Sequence, residues 1–302
     1  MKAIVFHTFG PPDVLQWEET DEPQAGPGQV RVRVKAAGVQ PFDTAVRSGP
    51  WPMYPVKFPQ KLGNEFAGVI DQVGDGAAGF AVGSEVLGWA PMSCYAEYVV
   101  VGSDQVVAKP KSMPWEEAGV LSASGQTAHR ALQLLGVGRG DTVLVHAAAG
   151  GVGTVAVQLA RAWGATVIGT ASPRNHDYLR ALGAIPVAYG EGLAERVRAL
   201  APNGVDAALD AVGGDALLVS VELVADKSRV GTLVDAELAE RLGARWLQSQ
   251  RTAERLAELV ELYEQGKLRI HIWKSFPMSE AAEAHREVET GHVRGKVVLL
   301  TE

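Results

Sequence analysis

VHAAAGGVGTVAVQLARAWGA, residues 145–165, joins an apolar run to a long amphipathic one through glycines at 150, 151 and 153. Val143 to Val145 reads as the end of a strand and Val152 to Trp163 as a helix. A loop with so little side chain lets backbone N–H groups approach an anion, and the helix N-terminus adds its partial positive charge. The spacing Ala148-x-Gly150-x-x-Gly153 matches the dinucleotide fingerprint G-x-G-x-x-G, with alanine at its first place. Glycines also make tight turns that bind nothing. The strand before and the helix after favour a pyrophosphate cradle, formed by the amides of Ala149, Gly150, Gly151 and Val152.

Working outward, strand candidates alternate with helix candidates from Asp141 onward, the signature of βαβ units and a parallel sheet. DTVLVHA, ATVIGTA, AIPVAY, VDAALDAVG and SRVGTLVD read as strands, and VGTVAVQLARAW, HDYLRALG and GLAERVRALA as the helices between them. Upstream the hydrophobic period is two: QVRVRVKAAGV sets Val30, Val32 and Val34 against Arg31, Arg33 and Lys35, a half-buried strand. FAGVIDQVG, GSEVLGWA and CYAEYVVV continue the β-rich part, Pro110 and Pro114 mark its end, and WEEAGVLSASGQTAHRALQLL after them reads as helices. After a long helix, TAERLAELVELYEQGKL, the segments RIHIWKSF and GKVVLL return to strand character. The expected fold class is α/β.

The fingerprint ordinarily carries an Asp or Glu about 20 residues on, bonded to the adenosine ribose. Here that place reads VIGTASPRN, with Ser172, then Arg174, and no carboxylate before Asp177. An acid would repel a 2′-phosphate, whereas a hydroxyl and a guanidinium accept one. The missing acid therefore favours NADP(H) over NAD(H). Ser172 also suits the N-cap of the next helix, which is compatible with phosphate binding.

Composition narrows the classes. The chain has 302 residues, 47% hydrophobic and 21% charged, with a net charge of −7, so nothing in it suggests a nucleic-acid or anionic-membrane surface. No apolar run approaches the roughly 20 residues that span a bilayer, and the N-terminus lacks the pattern of a signal peptide. The single cysteine, Cys94, fits a reducing compartment. A cytoplasmic protein is expected.

AAGVQPFDTAVRSG (36–49), LGNEFAGVI (62–70), SGQTAHRAL (124–132), HAAAGGVG (146–153), ALDAVGG (208–214) and GHVRGKVVLL (291–300) resemble, in order and spacing, the zinc-free medium-chain dehydrogenase/reductases of the quinone oxidoreductase (zeta-crystallin-like) type. The resemblance covers essentially the whole chain. It implies a GroES-like β-barrel catalytic domain from residues 1–113 and 268–302, and a Rossmann doubly wound NADP(H)-binding domain from 114–267. It places Gln40 where the family has an amide beside the nicotinamide, with Thr127, Ala211, Val212 and Lys296 near the cofactor and Tyr189 at its adenosine phosphate end. Outside the family frame these six read as ordinary core or surface residues.

Zinc-dependent relatives carry a Cys and a His where this chain has Gln40 and Asn64, neither a good zinc ligand, so no metal is expected. The chemistry left is hydride transfer from NADPH to quinones or to α,β-unsaturated carbonyls, within EC 1.6.5.- by resemblance. An enone or enoyl reductase of the same fold, or an NADPH-binding module with a structural or sensing role, are the alternatives. Trp51 and Tyr54, in a Pro- and aromatic-rich loop, are candidates to stack on a planar substrate or to anchor that loop. No residue stands out as a catalytic acid, and solvent serves as the proton source. GARWLQSQ, residues 243–250, is expected to be the edge strand through which two copies pair as a homodimer.

Overall fold

The computed structural model describes residues 1–50 and 55–301; Trp51 and Tyr54 lie outside them. The chain forms two compact units, one of Met1–Ala123, Arg251–Glu261 and Ile270–Glu302, the other of Ser124–Gln250 and Leu262–Arg269.

In the first unit the alternating segment is the strand Gln29–Val39, with Val30, Val32 and Val34 fully buried and Arg33 exposed. It pairs antiparallel with Phe66–Val73, Tyr98–Gly102 and, from the far end of the chain, Lys296–Leu300. The C-terminal return thus adds Lys296–Leu300 and then Ile272–Pro277 to one end of the main sheet, with Val297 to Leu299 inside the core. A three-stranded sheet of Gln16–Glu19, Lys2–Phe6 and Gln60–Lys61 completes the unit's β-structure. The short helix Pro41–Ser48 starts on a proline, whose fixed φ suits the first helical position. Asp43 three residues in accepts from the Gln40 amide at 2.8 Å and so caps it.

The second unit is a six-stranded parallel sheet in the order Ile185–Val187, Thr166–Thr170, Thr142–Val145, Ala207–Asp210, Val230–Thr232, Arg245–Trp246. Numbered along the chain from Thr142, that order is 3-2-1-4-5-6, the doubly wound dinucleotide-binding arrangement. Its two central strands are apolar except at Thr142 and Asp210, as a sheet covered on both faces requires: Val143, Leu144, Val145, Ala207, Ala208 and Leu209 are all fully buried.

Four helices not read from the sequence are Pro41–Ser48, Asp215–Leu223, Ala236–Leu242 and Ala281–Glu289. The expected edge strand over 243–250 is strand only at Arg245–Trp246, and it does lie at the sheet edge. Among the described residues no helix is long and apolar enough to cross a membrane.

Candidate functional site

At the end of Thr142–Val145 the chain turns through Ala147 at φ +52°, a left-handed conformation that costs a non-glycine residue energy. Thr170 holds it there: its hydroxyl accepts from the Ala147 amide at 3.2 Å and its carbonyl from the Ala148 amide at 3.0 Å. The helix Gly151–Ala162 then starts from Gly150, with no side chain capping it. The Gly150 amide donates back to the Ala147 carbonyl at 2.9 Å, while the first amides of the helix proper have no intrahelical acceptor and form a donor cluster.

The two fingerprint glycines do different work. A Cβ on Gly153 would meet the Ala147 carbonyl oxygen at 2.3 Å and the Ala148 Cα at 2.6 Å, so the helix packs onto the loop only because that Cβ is missing. A Cβ on Gly150 would meet only the Ala147 oxygen, at 3.3 Å, and otherwise stand in open space. That space is what a pyrophosphate needs, and on this observation the loop fits a dinucleotide.

The other candidates of this unit, Thr127 apart, sit where neighbouring parallel strands end. After Thr166–Thr170 come Ser172, half-buried, and Arg174, exposed. Ser172 occupies an N-cap position without making a capping bond; its hydroxyl accepts from the Asn175 amide side chain at 3.4 Å. Asp177, the first carboxylate, is bound to Arg180 at 2.6 Å. After Ile185–Val187 comes Tyr189, 62% exposed. After Ala207–Asp210 come Ala211 and Val212, the latter exposed. Asp210, fully buried, shapes that turn: one carboxylate oxygen accepts from the Val212 and Gly213 amides at 2.8 Å each, the other from the Thr232 hydroxyl at 2.7 Å. Thr127 lies within the helix Leu121–Leu134, its hydroxyl 3.0 Å from that of Ser249.

Gln40 and Lys296 belong to the first unit, and a buried polar cluster joins them. The Gln40 carboxamide donates to Glu65, whose carboxylate also lies 3.1 Å from the Lys296 ammonium and accepts from the Ala123 amide. Glu65 is fully buried and Lys296 nearly so, so Lys296 is not a surface lysine. Beside them Asp43 accepts from the Gln40 amide, from Asn64 Nδ2 at 2.6 Å and from the Tyr95 hydroxyl at 2.9 Å. Burial pushes the Asp43 carboxyl up to about 6 against those three hydrogen bonds, and pushes the Tyr95 phenol up as well. Asp43, Glu65, Tyr95, Thr170 and Asp210 were not singled out from the sequence. The only signal for the first two was an acid inside or beside an apolar segment, in VQPFD and GNEFAGVI.

Two of the three histidines buried among the described residues, His146 and His285, complete the electrostatics. His146, next to the glycine loop, has its Nε2 3.0 Å from the Ser220 hydroxyl, and burial lowers it to about 4 against the opposing charge of Asp210. His285 lies edge-on to Tyr95, and burial, with the Arg47 charge, lowers it to about 3. Their usual value is 6.5, so the folded chain refuses protons that the unfolded chain accepts below it, and stability falls as the pH drops through that window. By pH 5 each histidine costs about 2 kcal/mol, while Asp43, whose raised pKa makes the folded state take a proton first, returns about 1 kcal/mol. Denaturant unfolding should therefore show a net loss of about 2–3 kcal/mol between pH 7 and pH 5, roughly halved or better in His285→Leu. Equal stability at the two pH values would contradict this.

Two family profiles match the chain: an alcohol dehydrogenase GroES-like domain over residues 26–111 and a zinc-binding dehydrogenase over 182–299. A quinone oxidoreductase of Pseudomonas aeruginosa is 34% identical across 99% of both chains, and a 2-haloacrylate reductase of a Burkholderia species is 33% identical across 99% of this chain and 98% of its own. The solved quinone oxidoreductase of Escherichia coli complexed with NADPH superimposes with a TM-score of 0.88 at 27% identity, covering 99% of this chain and all of the other. The chain belongs to the medium-chain dehydrogenase/reductase family, in its quinone oxidoreductase branch, and is an oxidoreductase built on a nicotinamide-binding fold.

One profile's description names zinc, and the residues present do not fit that metal. Gln40 and Asn64 offer carboxamides already engaged by Glu65 and Asp43, and Cys94 is buried with its thiol on the Ala90 carbonyl and its pKa pushed up by burial. Among the described residues no three His, Cys, Asp or Glu side chains are grouped so that they could hold a metal ion.

Proposed function

We propose that the protein reduces quinones or α,β-unsaturated carbonyls with NADPH and without a metal. The observation that carries the cofactor choice is the end of the strand Thr166–Thr170, where Ser172 and Arg174 stand in place of an acid and the first carboxylate is held by Arg180. When bound, the nicotinamide supplies a hydride. The protein's part is to bind and orient: the amides of Ala149, Gly151 and Val152 for the pyrophosphate, with Gly150 leaving it room while its own amide donates to the Ala147 carbonyl at 2.9 Å, Ser172, Arg174 and Tyr189 for the phosphorylated ribose, and Ala211, Val212 and Thr127 for the nicotinamide half. Gln40 spends one N–H of its carboxamide on Glu65 and keeps the other N–H for cofactor or substrate. The relative named for 2-haloacrylate reduction supports activated C=C bonds as acceptors beside quinones.

Arg174→Ala should weaken NADPH by roughly 1.5–3 kcal/mol, the scale of a hydrogen bond to a charged group, and barely touch NADH. Fluorescence titration of both cofactors reads this directly. Equal affinity of the unaltered protein for NADPH and NADH would overturn the cofactor reading.

We also propose a homodimer formed through the edge Arg245–Trp246, which carries the half-buried Trp246 and ends the sheet. The Leu247 amide already donates inward to Thr232 at 2.9 Å, so a proline there would break the chain's own sheet. Gln248→Pro tests the outward side instead. Sedimentation should show a dimer that dissociates in this variant, and a monomeric parent protein would end the proposal.

A further inference from the structure

After the strand Ile185–Val187 the chain passes through the turn Ala188–Gly192, with Gly190 at φ +95° and Gly192 at φ +71°. Two glycines in left-handed conformations give this turn a large conformational freedom to lose. Arg196, one turn into the helix Leu193–Leu200, folds back over it. Its Nη1 donates to the Glu191 carbonyl at 2.7 Å, and its Nη2 reaches the carbonyls of Ala188 at 2.9 Å, Gly190 at 3.3 Å and Tyr189 at 3.5 Å. Four consecutive carbonyls thus face one guanidinium, and its Nε is buried without a partner. With the main-chain oxygens turned in, the Tyr189 side chain is turned out and 62% exposed. The turn is also tied to the next strand end, because the Ala171 amide donates to the Val187 carbonyl at 3.1 Å, and Ala171 is followed by Ser172 and Arg174.

We infer that Arg196 is a specificity-determining positioning residue for the phosphorylated dinucleotide, holding the Ala188–Glu191 turn so that Tyr189 is presented on the same strand-end edge as Ser172 and Arg174. The inference rests on the cofactor reading proposed above. Arg196 touches no ligand itself. It acts by ordering the turn before binding, so that the ordering cost falls on folding rather than on affinity. A planar fork with five donors spans several carbonyls, and a lysine ammonium cannot do so in the same geometry although it keeps the charge.

The test titrates NADPH and NADH into the parent protein, Arg196→Ala, Arg196→Lys, Tyr189→Ala and the double variant Tyr189→Ala/Arg196→Ala. Arg196→Ala should weaken NADPH about tenfold and NADH by less than about twofold. Arg196→Lys should show most of the same loss. In the Tyr189→Ala background the Arg196→Ala change should cost nothing further, since its effect runs through Tyr189. A parent without preference for NADPH overturns the cofactor reading and this inference with it. A parent that prefers NADPH overturns the inference alone if Arg196→Ala leaves the NADPH/NADH ratio unchanged, if Arg196→Lys restores full affinity, or if the two losses add.

Discussion

Gly150→Ala is expected to fold with nearly parental stability yet bind NADPH at least about tenfold more weakly, whereas Gly153→Ala should lose about 3 kcal/mol of stability outright. The two glycines stand three residues apart in one loop, and geometry separates them. The Cβ added at 150 meets only the Ala147 carbonyl oxygen, at 3.3 Å, and otherwise points into open space with φ at −76°, an ordinary conformation, so folding is little affected while the room for a pyrophosphate is taken. As a helix N-cap, alanine costs only about a few tenths of a kcal/mol more than glycine to about 1. The Cβ added at 153 lands on the main chain of Ala147 and Ala148, which has no rotamer to move and is pinned by Thr170. The cost therefore sits at the upper end of the 1–3 kcal/mol range typical of overpacking. Denaturant unfolding and cofactor titration on the same preparations separate the two effects. If Gly150→Ala binds NADPH normally, the loop is a turn and not a cradle.

Lys296→Met should destabilise the protein by about 3–5 kcal/mol, the cost of leaving one member of a buried ion pair uncompensated. Glu65 is fully buried, and its remaining partners in that variant are the neutral Gln40 carboxamide and the Ala123 amide. Lys296→Met/Glu65→Gln removes both charges and keeps an acceptor for the Ala123 amide, so most of the loss should be recovered. A single variant within about 1 kcal/mol of the parent would show that the pair is not desolvated as the structure has it. The prediction bears on function because Glu65 also fixes Gln40. An enzyme carrying Lys296→Met should lose turnover through a displaced Gln40 even at temperatures where it stays folded.

The elements legible in the sequence are those whose pattern is local. Val30, Val32 and Val34 alternate because one face of their strand is buried, and the glycine loop is readable because strand, turn and helix follow one another within twenty residues or so. The helix Asp215–Leu223 escaped because DALLVSVEL is apolar nearly all round, so no 3.6-residue stripe stands out although only Leu217 and Ser220 are buried. The helix Pro41–Ser48 is a short turn inside a motif whose residues drew attention for their chemistry. The polar cluster escaped for a different reason. Asp43, Glu65 and Lys296 are charges that a sequence reader places on a solvated face, and only the pairing of Lys296–Leu300 with Gln29–Val39 brings the lysine to the glutamate. Arg196 likewise looks like the polar side of an ordinary amphipathic helix, ERVRAL. Its four carbonyl partners appear only when the preceding turn is seen to fold back.

The central claim is that this chain moves hydride from NADPH to an electron-poor acceptor without a metal. The most direct measurement is oxidation of NADPH and of NADH by the purified protein, with a chelator present, against 1,4-benzoquinone, 9,10-phenanthrenequinone and a set of enones. The expected result is turnover with at least one acceptor class, much faster with NADPH than with NADH and unchanged by the chelator. Tight NADPH binding with no oxidation by any acceptor, or activity abolished by chelation and restored by zinc, would contradict it.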